Sequence, residues 1–160
     1  MSTLTWSDSM AMKLEPMDRT HREFVEYLAL LEQTLDEDLD LLPSRYEAFL
    51  AHTEAHFAQE ERWMASAGFA VENCHAVQHR HVLDVLREVK TVVGTTGDAQ
   101  ILRRLLAELG TWFTAHATMM DQALADTLAQ LGFDPATGTL ARAPVAQADL
   151  ITGCGSNQCS

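Results

Sequence analysis

Uninterrupted apolar runs are missing from this chain. No window reaches the roughly 18 consecutive apolar residues that a membrane helix requires, so no membrane-spanning segment is expected. Basic residues are also scarce: 11 Lys and Arg stand against 23 Asp and Glu, a formal net charge of −12. Such a chain repels phosphate backbones and anionic headgroups, which argues against nucleic acid and against an anionic membrane surface as partners. Cysteine is sparse and odd in number (Cys74, Cys154 and Cys159), which does not suggest a disulfide framework. The opening stretch MSTLTWSDSMAMKLEP has no basic region followed by an apolar run. It does not read as a signal peptide, and a cytoplasmic location is expected. Strand-like alternation of useful length and internal repeats of fixed period are both absent.

What remains is a chain of 160 residues, 47% apolar and 21% charged, which suits one soluble domain with a sizeable core. Four segments carry helical periodicity. Met17, His21, Phe24, Leu28, Leu31 and Leu35 recur at alternating steps of four and three. Phe49, Thr53, His56, Glu60, Trp63 and Ala67 do the same, as do His75, His79, Val82, Leu86, Val89 and Val93. Stripes of this kind face the centre of a helical bundle. The breakers between them are Pro43–Ser44, Gly68 and the GTTGD run at 94–98, with Ser44 and Asp98 expected as helix N-caps. Short connections favour an all-α, antiparallel up-down-up-down four-helix bundle. From Gly132 onward the composition turns to Gly, Ala, Pro and Ser without a sustained period. The expected organisation is a bundle domain over 1–133 and a flexible, non-regular C-terminal extension over 134–160 that carries a Cys pair.

The fourth segment breaks register. Leu102, Leu105, Leu109, Trp112 and His116 keep the three-four rhythm, and Asp121, Leu124, Leu128 and Leu131 resume it. Between His116 and Asp121 the step is five. In an ideal helix five residues turn a side chain by about 140°, so the pair would diverge. A single π-turn would absorb the extra residue and restore the face, and such turns often lie at functional sites.

The polar residues fall in the wrong places for a plain core. His21, His56, Glu60, His75, His79, His116 and Asp121 all occupy stripe positions. Burying an imidazole or a carboxylate without partners costs several kcal/mol in the less forgiving reference states. A metal site satisfies all seven, because ligation occupies the nitrogens and neutralises the carboxylates. One H-x3-H match would prove little, since His52 and His56 also form one. The joint pattern is far more specific: a stripe histidine, HFAQE, HAVQH and HATMMD, one piece per helix. Seven ligands exceed one ion's needs. Two ions sharing two bridging carboxylates would use them and leave room for a small molecule. Imidazole-rich ligation without thiolate suits iron, manganese or zinc.

These pieces resemble the hemerythrins of the bacterial single-domain type: a histidine in the first helix, then H-x3-E, H-x3-H and H-x4-D, in that order. The flanks DRTHREF, HFAQEERWMASAGF and WFTAH agree too, and the likeness covers roughly residues 4 to 133. The resemblance implies two carboxylate-bridged, non-haem Fe ions with O2 as ligand. His75, His79 and His116 would hold a coordinatively full iron. His21 and His56 would hold an iron with an open position, and Glu60 and Asp121 would bridge the two. The apolar positions flanking the fourth-helix histidine are Phe113 and Ala117, where many relatives carry leucine and isoleucine. With Phe57 and Trp112 they are expected to line the O2 pocket.

The remaining residues have plainer readings. His52 lies two turns from Glu60 and reads as a surface or outer group. His81 reads as exposed, Cys74 as a small residue at the core edge, and DEDLD at 36–40 as a solvated helix end. Trp63 and Trp112 read mainly as packing. Cys154 and Cys159 could be a redox pair, a weak metal handle or a chance feature. The function expected is reversible dioxygen binding, as carrier, store, scavenger or sensor, and not an enzyme. A protein partner would act through the tail. The alternatives are a di-iron enzyme reducing peroxide or nitric oxide, and an iron-handling or structural metal bundle. A ferritin-like oxidase would need two E-x-x-H pairs, and only ENCH, Glu72 to His75, matches.

Overall fold

Proline and glycine mark where the helices of this chain begin and end. A computed structural model describes residues 3–144 and contains four long helical segments. Helix α1 runs Glu15–Glu37 with Pro16 in its first turn, where a missing N–H costs nothing. Helix α2 runs Leu42–Ala67 and stops at Gly68, whose φ of 88° is left-handed. The Phe69 N–H returns to the Met64 carbonyl at 2.9 Å, closing the helix end. Helix α3 runs Cys74–Thr96 and stops at Gly97, φ 69°. Helix α4, Ala99–His116, passes through a π-turn at Ala117–Asp121 into α5, Gln122–Gln130, so the three together make the fourth bundle element.

The expected caps divide. Asp98 caps α4 by accepting the Gln100 N–H at 2.9 Å. Ser44 does not cap α2. A 3-10 turn at Leu39–Leu41 runs straight into the helix, which starts two residues earlier, and Ser44 Oγ donates to the Leu41 carbonyl at 3.0 Å. Asp38, one helical turn upstream, accepts the Asp40 N–H instead.

Neighbours in sequence are neighbours in space: α1 packs on α2 and α4, and α3 packs on α2 and α4. Phe24, Phe49, Leu28, Leu31, Leu86, Leu102, Leu106, Leu124 and Leu128 are buried at the centre. Each such side chain contributes about 1.5–3 kcal/mol. An N-terminal arm lies along α4 over Gly110, where a Cβ would meet Leu4 Cβ at 3.5 Å and Thr3 Cγ2 at 3.6 Å. The guanidinium of Arg22 sits 5.1 Å above the Trp6 ring.

Two short strands follow α5. β1, Phe133–Asp134, pairs antiparallel with β2, Thr139–Leu140. The sequence reading had no strand here, because two-residue strands leave no alternation to detect. An Asx turn, with Asp134 Oδ1 accepting the Ala136 N–H at 2.9 Å, shapes the hairpin. Phe133 meets the Trp63 ring edge-on at 5.9 Å. Residues 145–160, with Cys154 and Cys159, lie outside the described residues. Among those described, no helix is long and apolar enough to cross a membrane.

Candidate metal centre

The stripe positions that carry nitrogen and carboxylate converge at one end of the bundle. His21 lies near the start of α1, His56 and Glu60 toward the end of α2, and His75 and His79 at the start of α3. Asn73, itself buried, fixes that last start: its Oδ1 accepts the Ala76 N–H at 3.0 Å and its Nδ2 donates to the Ala70 carbonyl at 2.7 Å. His75 and His79, four residues apart, then share one helix face.

The π-turn expected between His116 and Asp121 is present. The Gln122 N–H reaches the Ala117 carbonyl five residues back, and the Ala117 N–H still bonds to Phe113 and Thr114 carbonyls. Both ends of the pair therefore point inward: His116 is 3% exposed and Asp121 0%, and His116 Nε2 lies 3.2 Å from Asp121 Oδ1.

The two carboxylates divide their oxygens between two groups of imidazoles. Glu60 Oε1 faces His21 Nε2 at 3.5 Å and His56 Nε2 at 3.4 Å, while Oε2 faces His75 Nε2 at 3.4 Å and His79 Nε2 at 3.1 Å. Asp121 Oδ2 faces His21 Nε2 at 3.2 Å, while Oδ1 faces His75 Nε2 at 2.9 Å and His116 Nε2. His79 Nε2 and His116 Nε2 stand 3.2 Å apart. Glu60, His75, His79, His116 and Asp121 form one set able to hold a cation, and His21, His56 and Glu60 a second.

This arrangement fits metal ions. Two ligand atoms each about 2.1 Å from an ion and at right angles to each other are about 3 Å apart, close to the spacing seen. All four oxygens of Glu60 and Asp121, and Nε2 of His21 and His75, are buried, and the close N···O approaches just given are not aligned as hydrogen bonds. Buried polar atoms are rarely left so, and together they call for cations.

Protonation follows the same contacts. Burial opposes a charged His21, but contacts with Asp121 and Glu60 outweigh it and raise its pKa to about 10. His75 is raised to about 9 by the same balance. Burial lowers His56 to about 4 and also lowers His116, against the pull of the carboxylates. Burial opposes the ionised forms of Glu60 and Asp121, yet the surrounding imidazoles hold both well below the usual carboxylate range.

Aromatic rings close the site unevenly. Phe57 stacks on His79 at 3.9 Å and Trp112 on His116 at 4.4 Å, so both cover the three-histidine set. Phe113 stands edge-on to His21 at 5.1 Å, backed by Phe24 stacked at 4.7 Å. Ala117 is buried in the π-turn. The sequence reading missed Phe24 as a backing ring, since a stripe phenylalanine looks like any core residue. It also missed Gln78 and Glu61, which contact outer nitrogens of His116 and His79 at 2.9 Å and 3.5 Å.

The residues with plainer readings behave variously. His52 is half-buried and bonds to Glu23 Oε2 at 3.0 Å, and His81 is exposed. Residues 36–40 are solvated. Cys74 is half-buried as expected, but its sulfur is engaged in a disulfide, which the odd cysteine count had not suggested.

Comparison with known proteins adds an independent observation. Residues 12–128 match the family model described as Hemerythrin HHE cation binding domain. The chain is 36% identical over 134 residues to a bacteriohemerythrin of Ralstonia nicotianae, covering 84% of this chain and 95% of that protein. It is 26% identical over 138 residues to a bacteriohemerythrin of Stenotrophomonas maltophilia, covering 79% and 82%. No solved structure matches the chain significantly.

Proposed function

The chain belongs to the hemerythrin family, and from that premise we propose that it binds dioxygen reversibly at a non-haem di-iron centre, acting as an oxygen carrier, store, scavenger or sensor rather than as an enzyme. One observation carries the reading: each buried carboxylate turns one oxygen to each imidazole group. Carboxylates so placed would be able to serve two ions at once. In this assignment His75, His79 and His116 hold one iron, His21 and His56 hold the other, and Glu60 and Asp121 serve both.

Iron held by these residues would supply the reversible electron transfer that dioxygen binding needs. The chain's own residues make that exchange reversible by shape and dryness. With two imidazoles on their side against three on the other, His21 and His56 would offer a bound ion fewer protein donors than His75, His79 and His116. Phe113 stands against His21 there, and the small, buried Ala117 follows His116 in the chain. Phe57 and Trp112 cover the fuller side and fix its rings. Excluding water from such a site suppresses the side reactions that would consume the bound ligand. Five imidazoles and two carboxylates make a neutral-donor-rich set, which suits holding dioxygen more than cleaving it.

The test is spectroscopic. Protein purified without oxygen, with its iron counted, is followed in the visible through exposure to oxygen and then vacuum. A band that appears with oxygen and vanishes under vacuum is expected. Irreversible conversion with turnover of peroxide or nitric oxide would favour an enzyme instead, and full occupancy by zinc would defeat both readings.

A further inference from the structure

The outer nitrogens of the site's imidazoles are supported unequally. Nδ1 of His21, His75 and His79 is buried without a hydrogen-bond partner among the described residues, and that of His79 stands 3.5 Å from a Glu61 oxygen. His116 differs: its Nδ1 lies 2.9 Å from Oε1 of Gln78, across the α3–α4 contact. An amide oxygen only accepts, so His116 Nδ1 carries the hydrogen and donates it. That fixes the tautomer in which Nε2 offers its lone pair. Nε2 is the nitrogen turned inward, 3.2 Å from Asp121 Oδ1 and 3.2 Å from His79 Nε2.

His116 also has a backbone reason to need support. It is the last residue of α4, immediately before the π-turn, where the ladder shifts from four-residue to five-residue bonds. Trp112 stacks on one face of its ring. Stacking restrains tilt but leaves the ring free to turn in its own plane. Gln78 supplies the in-plane restraint, from between the ligand positions His75 and His79 of the neighbouring helix.

We infer that Gln78 is a positioning residue for the metal centre: it holds His116 in the Nδ1–H tautomer and aims its Nε2 at the cation shared with His75, His79 and Asp121. The inference rests on the di-iron reading of the site. It adds a residue that touches no cation and sets the donor strength and direction of one that does. Outer partners of ligand histidines commonly change metal affinity about 10–100-fold when removed.

The test uses the full chain loaded with iron(II) under strict anaerobiosis, titrated with a competing chelator. Gln78→Leu removes the acceptor at similar volume. Iron affinity should fall about 10–100-fold with helical content unchanged, and the exchangeable His116 Nδ1–H resonance should exchange faster. Gln78→Glu keeps an oxygen acceptor and makes the ring a stronger donor, so affinity should match or exceed the parent. Should leucine unfold the chain, Gln78→Asn replaces it, its amide one methylene short of the ring. Parent affinity in Gln78→Leu, or an equal loss in Gln78→Glu, overturns the inference. Because no oxygen is present, failure of reversible oxygenation would leave this result intact. A parent chain that takes up no iron would overturn both.

Discussion

His21 and Glu60 show the bargain struck at single positions. Each occupies a stripe place that an apolar residue would fill with less penalty, and each is 0% exposed. His21 is held protonated by its carboxylate neighbours up to a pKa of about 10, and His75 up to about 9. A ligand imidazole must give up that proton, so metal binding and proton release are linked. Uptake of iron(II) by metal-free protein at pH 7–8 should release one proton each from His21 and His75. Affinity should therefore climb with pH toward 9–10, as read by titration in weak buffer. Uptake without proton release would contradict the contacts described. Phe113 tests the other side of the account. Phe113→Ala opens a cavity beside His21, which should cost about 3–5 kcal/mol in urea unfolding. If the iron-loaded chain binds dioxygen as proposed, the variant should also lose the oxygen-dependent visible band faster. At this scale the seven inward positions were legible because polarity in an apolar stripe is conspicuous. Gln78 was not, because a glutamine off the stripe looks like ordinary surface until the fold brings His116 beside it.

The fourth bundle element carries its chemistry in its backbone. Five residues separate His116 from Asp121, and the π-turn at Ala117–Asp121 converts that step into a shared face. Met119 is exposed within the turn. Deleting it leaves a four-residue step, which an ordinary α-helix also places on one face. The deletion variant should therefore fold, keep Leu124 and Leu128 buried and still take up iron. Inserting one alanine at the same point instead turns Asp121 and everything after it by about 100°. That variant should lose iron and melt several degrees lower. Circular dichroism, iron content and thermal melting together check both, and an insertion that keeps its iron would refute the register argument. The break was readable because two good stripes failed to join. The start of α2 was misread at Ser44, since a cap residue in sequence becomes first-turn interior when a 3-10 turn leads in. The β1–β2 hairpin was invisible for want of length.

Across the whole molecule, stability and the metal site share the same buried charges. In metal-free protein, His56 is held neutral down to about 4 against 6.5 when unfolded, so the unfolded chain binds more protons in that window. Stability should rise with pH between about 4 and 6.5. Glu60 and Asp121, with depressed pKa values, add to the loss at the acid end. His21 and His75 act oppositely. Their folded values of about 10 and 9 lie above 6.5, so the folded chain holds more protons there and stability falls as pH rises through both. Urea unfolding of metal-free protein should thus peak near pH 6.5, and iron should abolish the alkaline decline by replacing those protons. A monotonic profile would contradict the assignment. The bundle itself was legible from periodicity and short breakers, because helical stripes report the core they face. The N-terminal arm over Gly110 and the engaged sulfur of Cys74 were not, since neither leaves a periodic trace.

If two cations share Glu60 and Asp121, anomalous scattering at the iron edge from crystals of the iron-loaded chain will locate both. Two peaks are expected, one among His75, His79 and His116 and one beside His21 and His56, each touched by an oxygen of both carboxylates. A single peak, or two that do not share those carboxylates, would contradict that sharing.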